Sequence, residues 1–158
     1  IDAVLAICDR VGLKTVQLHG DESAEDLAEL QRRAPSLGII RAHRLGENGL
    51  EELRAELADF RRLDVKLLAC LVDARADGVY GGSGMTVTWR DVAPDRRGDD
   101  WPRIILAGGL TAKNVPRAVA AVRPWGVDVA SGVETLPGVK DLAEVEAFIK
   151  SARIAGDS

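Results

Sequence analysis

Methionine, cysteine and histidine are almost missing from this 158-residue sequence, which has one Met, two Cys and two His. Cys8 and Cys70 are too few for a disulfide framework, and His19 and His43 stand apart with no metal-ligand spacing, so neither a structural nor a catalytic metal is expected. Long apolar runs are also missing. None approaches the roughly 18 to 20 residues a membrane-spanning helix needs, and no signal-peptide pattern occurs, which makes a cytoplasmic location the expectation. Nor is there an excess of positive charge. The net charge of -4 argues against nucleic acid or an anionic membrane as a main partner. It leaves room for a small phosphorylated ligand, which local backbone dipoles can hold.

What is present is ordinary globular composition, 46% hydrophobic and 29% charged, enough for one domain with a real core. The only methionine is Met85, and Ile1 opens directly into Val4, Leu5, Cys8 and Val11, the spacing of an amphipathic helix already under way. That start predicts that further residues precede it. Gly12 stops the helix, and Thr15 to His19 reads as a short strand. Ser23 with Asp26 caps the next helix, which carries Leu27 and Leu30 and ends by Pro35. Ile39 to Ala42 follows as a strand. Next come a helix with Leu50, Leu53, Leu57 and Phe60, capped by Asn48, and a buried strand from Leu67 to Val72 that ends at Asp73.

A long glycine-bearing loop, Ala74 to Thr88, then leads to a short helical segment at Trp89 to Ala93 and a charged turn at Asp95 to Asp100. Ile104 to Ala107 is the next strand, and Thr111 caps a helix with Val115, Ala118, Val119 and Val122. Val127 to Ala130 is the last strand. Asp141 and Glu144 open a final helix with Leu142, Val145, Phe148 and Ile149 on one face. About five strands, each followed by a helix, mean a parallel sheet with helical cover. An open doubly wound sheet and an arc of a (β/α)₈ barrel both fit, and the helix under way at Ile1 favours the arc.

Ligands of parallel α/β folds bind at the carboxyl ends of the strands. That rule selects Gln17 and His19, Asp73, Gly108 and Gly109, and Ser131 and Gly132. The runs Ile104 to Leu110 and Val127 to Glu134 each stop at glycine or Ser-Gly, where backbone N–H groups can approach an anion, so together they suggest one phosphate between two loops. Asp73 is either a general acid with a raised pKa or a cap of its loop. His19 either meets a substrate or is a solvated polar group, and His43, flanked by Arg41 and Arg44, is a weaker candidate. Gly81-Gly82-Ser83-Gly84 either covers a ligand or connects two elements, and matches neither the Walker loop nor the dinucleotide fingerprint. Cys8 on a helix's apolar face and Cys70 inside a strand are inert core residues by this reading.

With Val16-Gln17-Leu18-His19-Gly20-Asp21-Glu22, Leu71-Val72-Asp73-Ala74, the Gly81 to Gly84 run, the two glycine-ended strands and Pro137-Gly138-Val139-Lys140-Asp141 all in order, the chain resembles phosphoribosylanthranilate isomerase. The resemblance implies a (β/α)₈ barrel of tryptophan biosynthesis that uses no cofactor and no metal. Its members convert N-(5-phosphoribosyl)anthranilate into the 1-deoxyribulose phosphate isomer by an Amadori rearrangement. It places the family's general acid on Asp73, which would protonate the furanose ring oxygen and open the sugar to a Schiff base. Substrate contacts fall on Gln17, His19 and Gly82, and the phosphate on Gly108, Gly109, Ser131 and Gly132.

Departures from the family pattern shape the expectation. The family's general base is a cysteine in a Lys-Ile-Cys-Gly strand, which does not occur here, and Cys8 does not replace it. The second-strand arginine expected at the anthranilate carboxylate is absent, and Met85 and Val87 replace a commoner lysine or glutamine and a phenylalanine. The resemblance thus implies that residues 1–158 are the C-terminal portion of a single barrel domain, a partial TIM barrel of strands four to eight with their helices. It would carry acid and phosphate site without base, show little activity alone, and self-associate through exposed sheet edges. The alternatives are another phosphosugar barrel enzyme, such as an epimerase or aldolase-like protein, and a half-barrel that binds phosphate without catalysis.

Overall fold

A computed structural model describes residues 1–45, 50–74 and 89–156. The expected capping residue Asn48 and the stretch containing Gly81 to Gly84, Met85 and Val87 lie outside the described residues. The chain runs α1 (Asp2–Val11), β1 (Thr15–Leu18), α2 (Ala24–Arg33), β2 (Gly38–Arg44), α3 (Leu50–Arg62) and β3 (Ala69–Asp73). Two 3₁₀ turns, Trp89–Val92 and Pro94–Arg96, lead into β4 (Arg103–Ala107), α4 (Val115–Val122) and β5 (Gly126–Val127). A further 3₁₀ turn (Ser131–Val133), a hairpin of β6 (Glu134–Leu136) and β7 (Val139–Lys140), and α5 (Leu142–Gly156) complete it.

The five strands β1 to β5 form one parallel sheet in sequential order. Its two faces differ. Leu18, Ile39, Cys70, Val72, Ile104 and Leu106 point toward the helices and join the main core with Leu27, Leu30, Leu53, Phe60, Val115 and Phe148. Fully burying one such leucine contributes about 1.5 to 3 kcal/mol. The opposite face holds a smaller cluster of Ile40, Ala42, Leu71, Ile105 and Ala107, and at its β1 edge Thr15 and Gln17 are exposed. The register places Arg44, Asp73 and Ala107 on this second face at the carboxyl end of the sheet.

Local sequence accounts for most element ends. Ser23 Oγ accepts from Asp26 N (3.1 Å) while Asp26 Oδ2 accepts from Ser23 N (2.9 Å), the reciprocal cap expected of α2. Thr111 caps the turn that leads into α4: it exchanges bonds with Asn114, Val115 N donates to its carbonyl (3.0 Å), and the regular helix begins at Val115, where Pro116 suits the first turn. Several expectations are corrected. The last strand of the sheet is Gly126–Val127 rather than Val127 to Ala130, since the chain turns at Ala130 to pass Leu110.

Among the described residues β3 is followed by 3₁₀ turns rather than an α-helix, and the hairpin of β6 and β7, turning on Pro137 and Gly138, was not foreseen. On α1 Val11 is exposed, and on α5 Leu142 and Ile149 are exposed while Phe148 is buried, so both apolar stripes are only partly covered. Among the described residues, no helix is long and apolar enough to cross a membrane, and no group of three or more His, Cys, Asp or Glu could hold a metal ion.

Candidate functional site

The carboxyl end of β3 brings the candidate acid to the surface of the second face. Asp73 is held by its backbone on both sides: its carbonyl accepts from Leu45 N (3.3 Å), and Ala74 N donates to Ala107 O (3.0 Å). Its carboxylate is one-third exposed and lies 3.9 Å from Arg44 Nε, which stands opposite it in register. Gly108, at φ 97, packs on its other flank. A Cβ at Gly108 would overlap the Ala74 carbonyl oxygen and Asp73 Oδ1, so the β4 chain reaches Asp73 only because position 108 has no side chain.

The two glycine-bearing loops meet beside this point. Gly109, at φ 61, is exposed, and its carbonyl accepts from Asn114 Nδ2 (3.0 Å) while the Thr111–Asn114 pair braces the turn. Gly132 lies so close to Leu110 that a Cβ would overlap the Leu110 carbonyl oxygen, which joins the Ser131–Gly132 loop to the end of β4. Lys140 folds back over this loop, donating to the Ala130 carbonyl (2.8 Å) and to Glu134 Oε1 (2.7 Å). Hydrogen bonds from Lys140 and from the Gly138 backbone hold the Glu134 carboxyl below the usual carboxylate range.

The structure therefore brings together Asp73, Gly108, Gly109, Ser131 and Gly132. Gln17 and His19 are both exposed at the β1 end, and neither hydrogen-bonds to Asp73; Gln17 pairs in register with Ile40, two inward positions below the Arg44 level. Gly82 lies outside the described residues. Burial pushes the Cys70 thiol up to about 12, with the neighbouring Glu56 charge adding to it and Arg41 opposing. Cys8 is buried on α1, so neither cysteine is at the mouth.

The weaker candidate His43 lies away from the mouth, in a polar cluster on the helix side whose other members, Arg41, Glu22 and Glu56, sequence reasoning did not join to it. Arg41, only 9% exposed, donates to Glu56, Glu22 and the Gly20 carbonyl, and His43 Nδ1 lies 2.8 Å from Glu56 Oε2. His43 Nε2 is buried without a partner among the described residues. Burial raises the Glu56 carboxyl, but hydrogen bonds from His43 and Arg41 outweigh it and leave the group below its ordinary range. The available signal was Arg41 and His43 at alternate positions of β2, on the same face as the apolar Ile39.

A parallel sheet with an aspartate and two glycine-bearing loops gathered at its carboxyl end places the chain among α/β proteins whose sites lie at strand ends. The profile of the family described as N-(5'-phosphoribosyl)anthranilate isomerase matches residues 1–151. The chain is 40% identical over 154 residues to the N-(5'-phosphoribosyl)anthranilate isomerase of Geotalea uraniireducens, covering 97% of this chain and 68% of that protein. The crystal structure of the Thermotoga maritima phosphoribosyl anthranilate isomerase superposes with a TM-score of 0.70 at 35% identity, covering 96% of this chain and 67% of that one. A structure of the isomerase in complex with reduced 1-(o-carboxyphenylamino)-1-deoxyribulose 5-phosphate gives 0.69 at 32% identity, covering 96% and 66%. The chain belongs to the N-(5'-phosphoribosyl)anthranilate isomerase family.

Proposed function

We propose that the chain acts in tryptophan biosynthesis on N-(5'-phosphoribosyl)anthranilate, with Asp73 as general acid. Asp73 gives a proton to the furanose ring oxygen as the C1–O bond breaks, leaving a Schiff base between C1 and the anthranilate nitrogen. Loss of the C2 proton to water then gives an enolamine, which ketonises to the 1-deoxyribulose 5-phosphate. Backbone N–H groups of Gly108, Gly109, Ser131 and Gly132 hold the substrate phosphate, in the manner of the barrel fold's recurrent phosphate loops. Gln17 and His19 face the remainder of the substrate, and no metal or cofactor takes part. The observation that carries this reading is the packing of Gly108 against Asp73, which places a candidate acid next to a candidate phosphate loop.

On this reading residues 1–158 form part of a single barrel domain, and β1 to β5 correspond to its strands four to eight. The two cysteines, buried and away from the mouth, are unsuited to the role of general base, so these residues by themselves supply the acid and the phosphate site and turn substrate over slowly. β1 and β5, the edges of the sheet among the described residues, favour self-association, and the small-molecule substrate together with the chain's acidic balance favours a cytoplasmic enzyme without nucleic-acid or membrane partners. Titration of the purified chain with the isomerised product and with inorganic phosphate, followed by anthranilate fluorescence, tests the reading. Product binding competed by phosphate supports it, and binding of phosphate alone counts against it.

A further inference from the structure

The proposed chemistry leaves the Arg41 cluster unused. Arg41 occupies a helix-facing position of β2, two residues beyond Ile39, in a row that a buried parallel strand fills with apolar side chains. Its Nε donates to Glu56 Oε1 on α3 (2.7 Å), and its Nη1 donates to Glu22 Oε2 (2.8 Å) and to the Gly20 carbonyl (3.2 Å). Glu22 Oε2 also accepts from Gly20 N (2.9 Å), so the turn after β1 closes on the same guanidinium. Desolvating these charges offsets much of their attraction, and apolar residues of similar volume would stabilise the fold about as well. What apolar residues cannot reproduce is direction, because a guanidinium is a rigid fork of donors that fixes the atoms it meets.

The atoms it fixes adjoin one candidate substrate residue. Gly20 directly follows His19, which is itself exposed and makes no side-chain hydrogen bond among the described residues. We propose that Arg41, locked to α3 by Glu56, is a positioning residue that sets His19 at the mouth by holding the Gly20 carbonyl and the Glu22 carboxylate. This rests on the isomerase reading, in which His19 meets the substrate beyond its phosphate.

The chain has only two histidines, so NMR of the purified protein shows the imidazole signals of His19 and His43 alone, and His43→Asn assigns them. Two variants are compared with the parent: Arg41→Met combined with Glu56→Gln, which removes both charges together, and Arg41→Lys, which keeps the charge and loses the fork. Affinities are measured for the isomerised product, by anthranilate fluorescence, and for inorganic phosphate. Both variants are expected to shift the His19 ring signals and to weaken product binding, by about 10-fold in the double variant and less in Arg41→Lys, with phosphate affinity unchanged. His19 signals identical to the parent's, or product and phosphate affinities falling by one common factor, would overturn the role of Arg41. A parent chain that binds phosphate but not product overturns the isomerase reading and Arg41's role with it, and shows this before any variant is made.

Discussion

Arg44 and Asp73 face each other across neighbouring parallel strands, paired in register and joined by an ion pair of 3.9 Å at the carboxyl end of the sheet. Arg44 is three-quarters exposed, so solvent screens the pair and its contribution to stability is at most about 0.5 kcal/mol. Its consequence is orientational, since it and Gly108 flank the Asp73 carboxylate on two sides. Asp73→Asn keeps the shape and removes the transferable proton. We expect it to lower kcat/KM by about 10²- to 10⁴-fold while leaving phosphate affinity and melting temperature close to the parent's. Steady-state kinetics with a phosphate titration check this, and equal losses in both would point to binding instead of proton transfer.

Gly108 and Gly132 should tolerate no side chain, for different reasons. At Gly108 an alanine meets the Ala74 carbonyl and Asp73 and must also adopt φ 97; at Gly132 it overlaps the Leu110 carbonyl. Gly138, at φ 82 with nothing near its Cβ direction, serves as the comparison in which only backbone strain applies. Gly138→Ala is expected to cost about 1 to 2 kcal/mol, and each of the other two more, because backbone atoms have to move. Urea unfolding of the three variants gives the order, and Gly132→Ala as mild as Gly138→Ala would contradict the close approach.

The sequence carried those features that are local. The Ser23–Asp26 cap was readable because both halves of the interaction lie within one turn, and the alternation of strands and helices was readable from apolar periodicity. The end of β5 was not, because beyond Val127 the chain's course is tied to the close approach of Gly132 to Leu110, a contact between residues 22 positions apart in sequence. The same holds at the mouth. Asp73 and the glycine pairs were marked by where their apolar runs stop, whereas Arg44 and the Arg41–Glu22–Glu56 cluster needed the register of β2 before either could be assigned to a face. The exposed Leu142 on α5 shows the converse, a periodic stripe whose cover depends on neighbours rather than on the stripe itself.

Cysteine chemistry should be silent in the folded protein. Cys70 is fully buried between β2 and β4, and burial pushes its thiol up to about 12, so almost none of it is thiolate at neutral pH. Cys8 is buried on α1. A thiol reagent at pH 8 is expected to label neither residue until denaturant is added, after which both react. Rapid labelling of Cys70 in the native protein would mean that the β3 strand opens readily.

Acid should act on the fold through Glu56. Its folded pKa is depressed: burial raises it, but the hydrogen bonds and charges of His43 and Arg41 outweigh burial, with the Cys70 thiol the other titratable group beside it. A depressed carboxyl is more easily ionised in the folded than in the unfolded chain, so its stabilisation is fully present above the unfolded value, about 4.3, and fades as pH falls through the lower folded value. Other carboxylates titrate in both proteins, so the difference between the parent and Glu56→Gln isolates this group. That difference should shrink below about pH 4 as the parent's carboxyl is protonated. Urea midpoints of the two proteins between pH 3 and pH 7 measure it. A gap that persisted undiminished to pH 3 would mean that Glu56 is not held as an ion by Arg41 and His43.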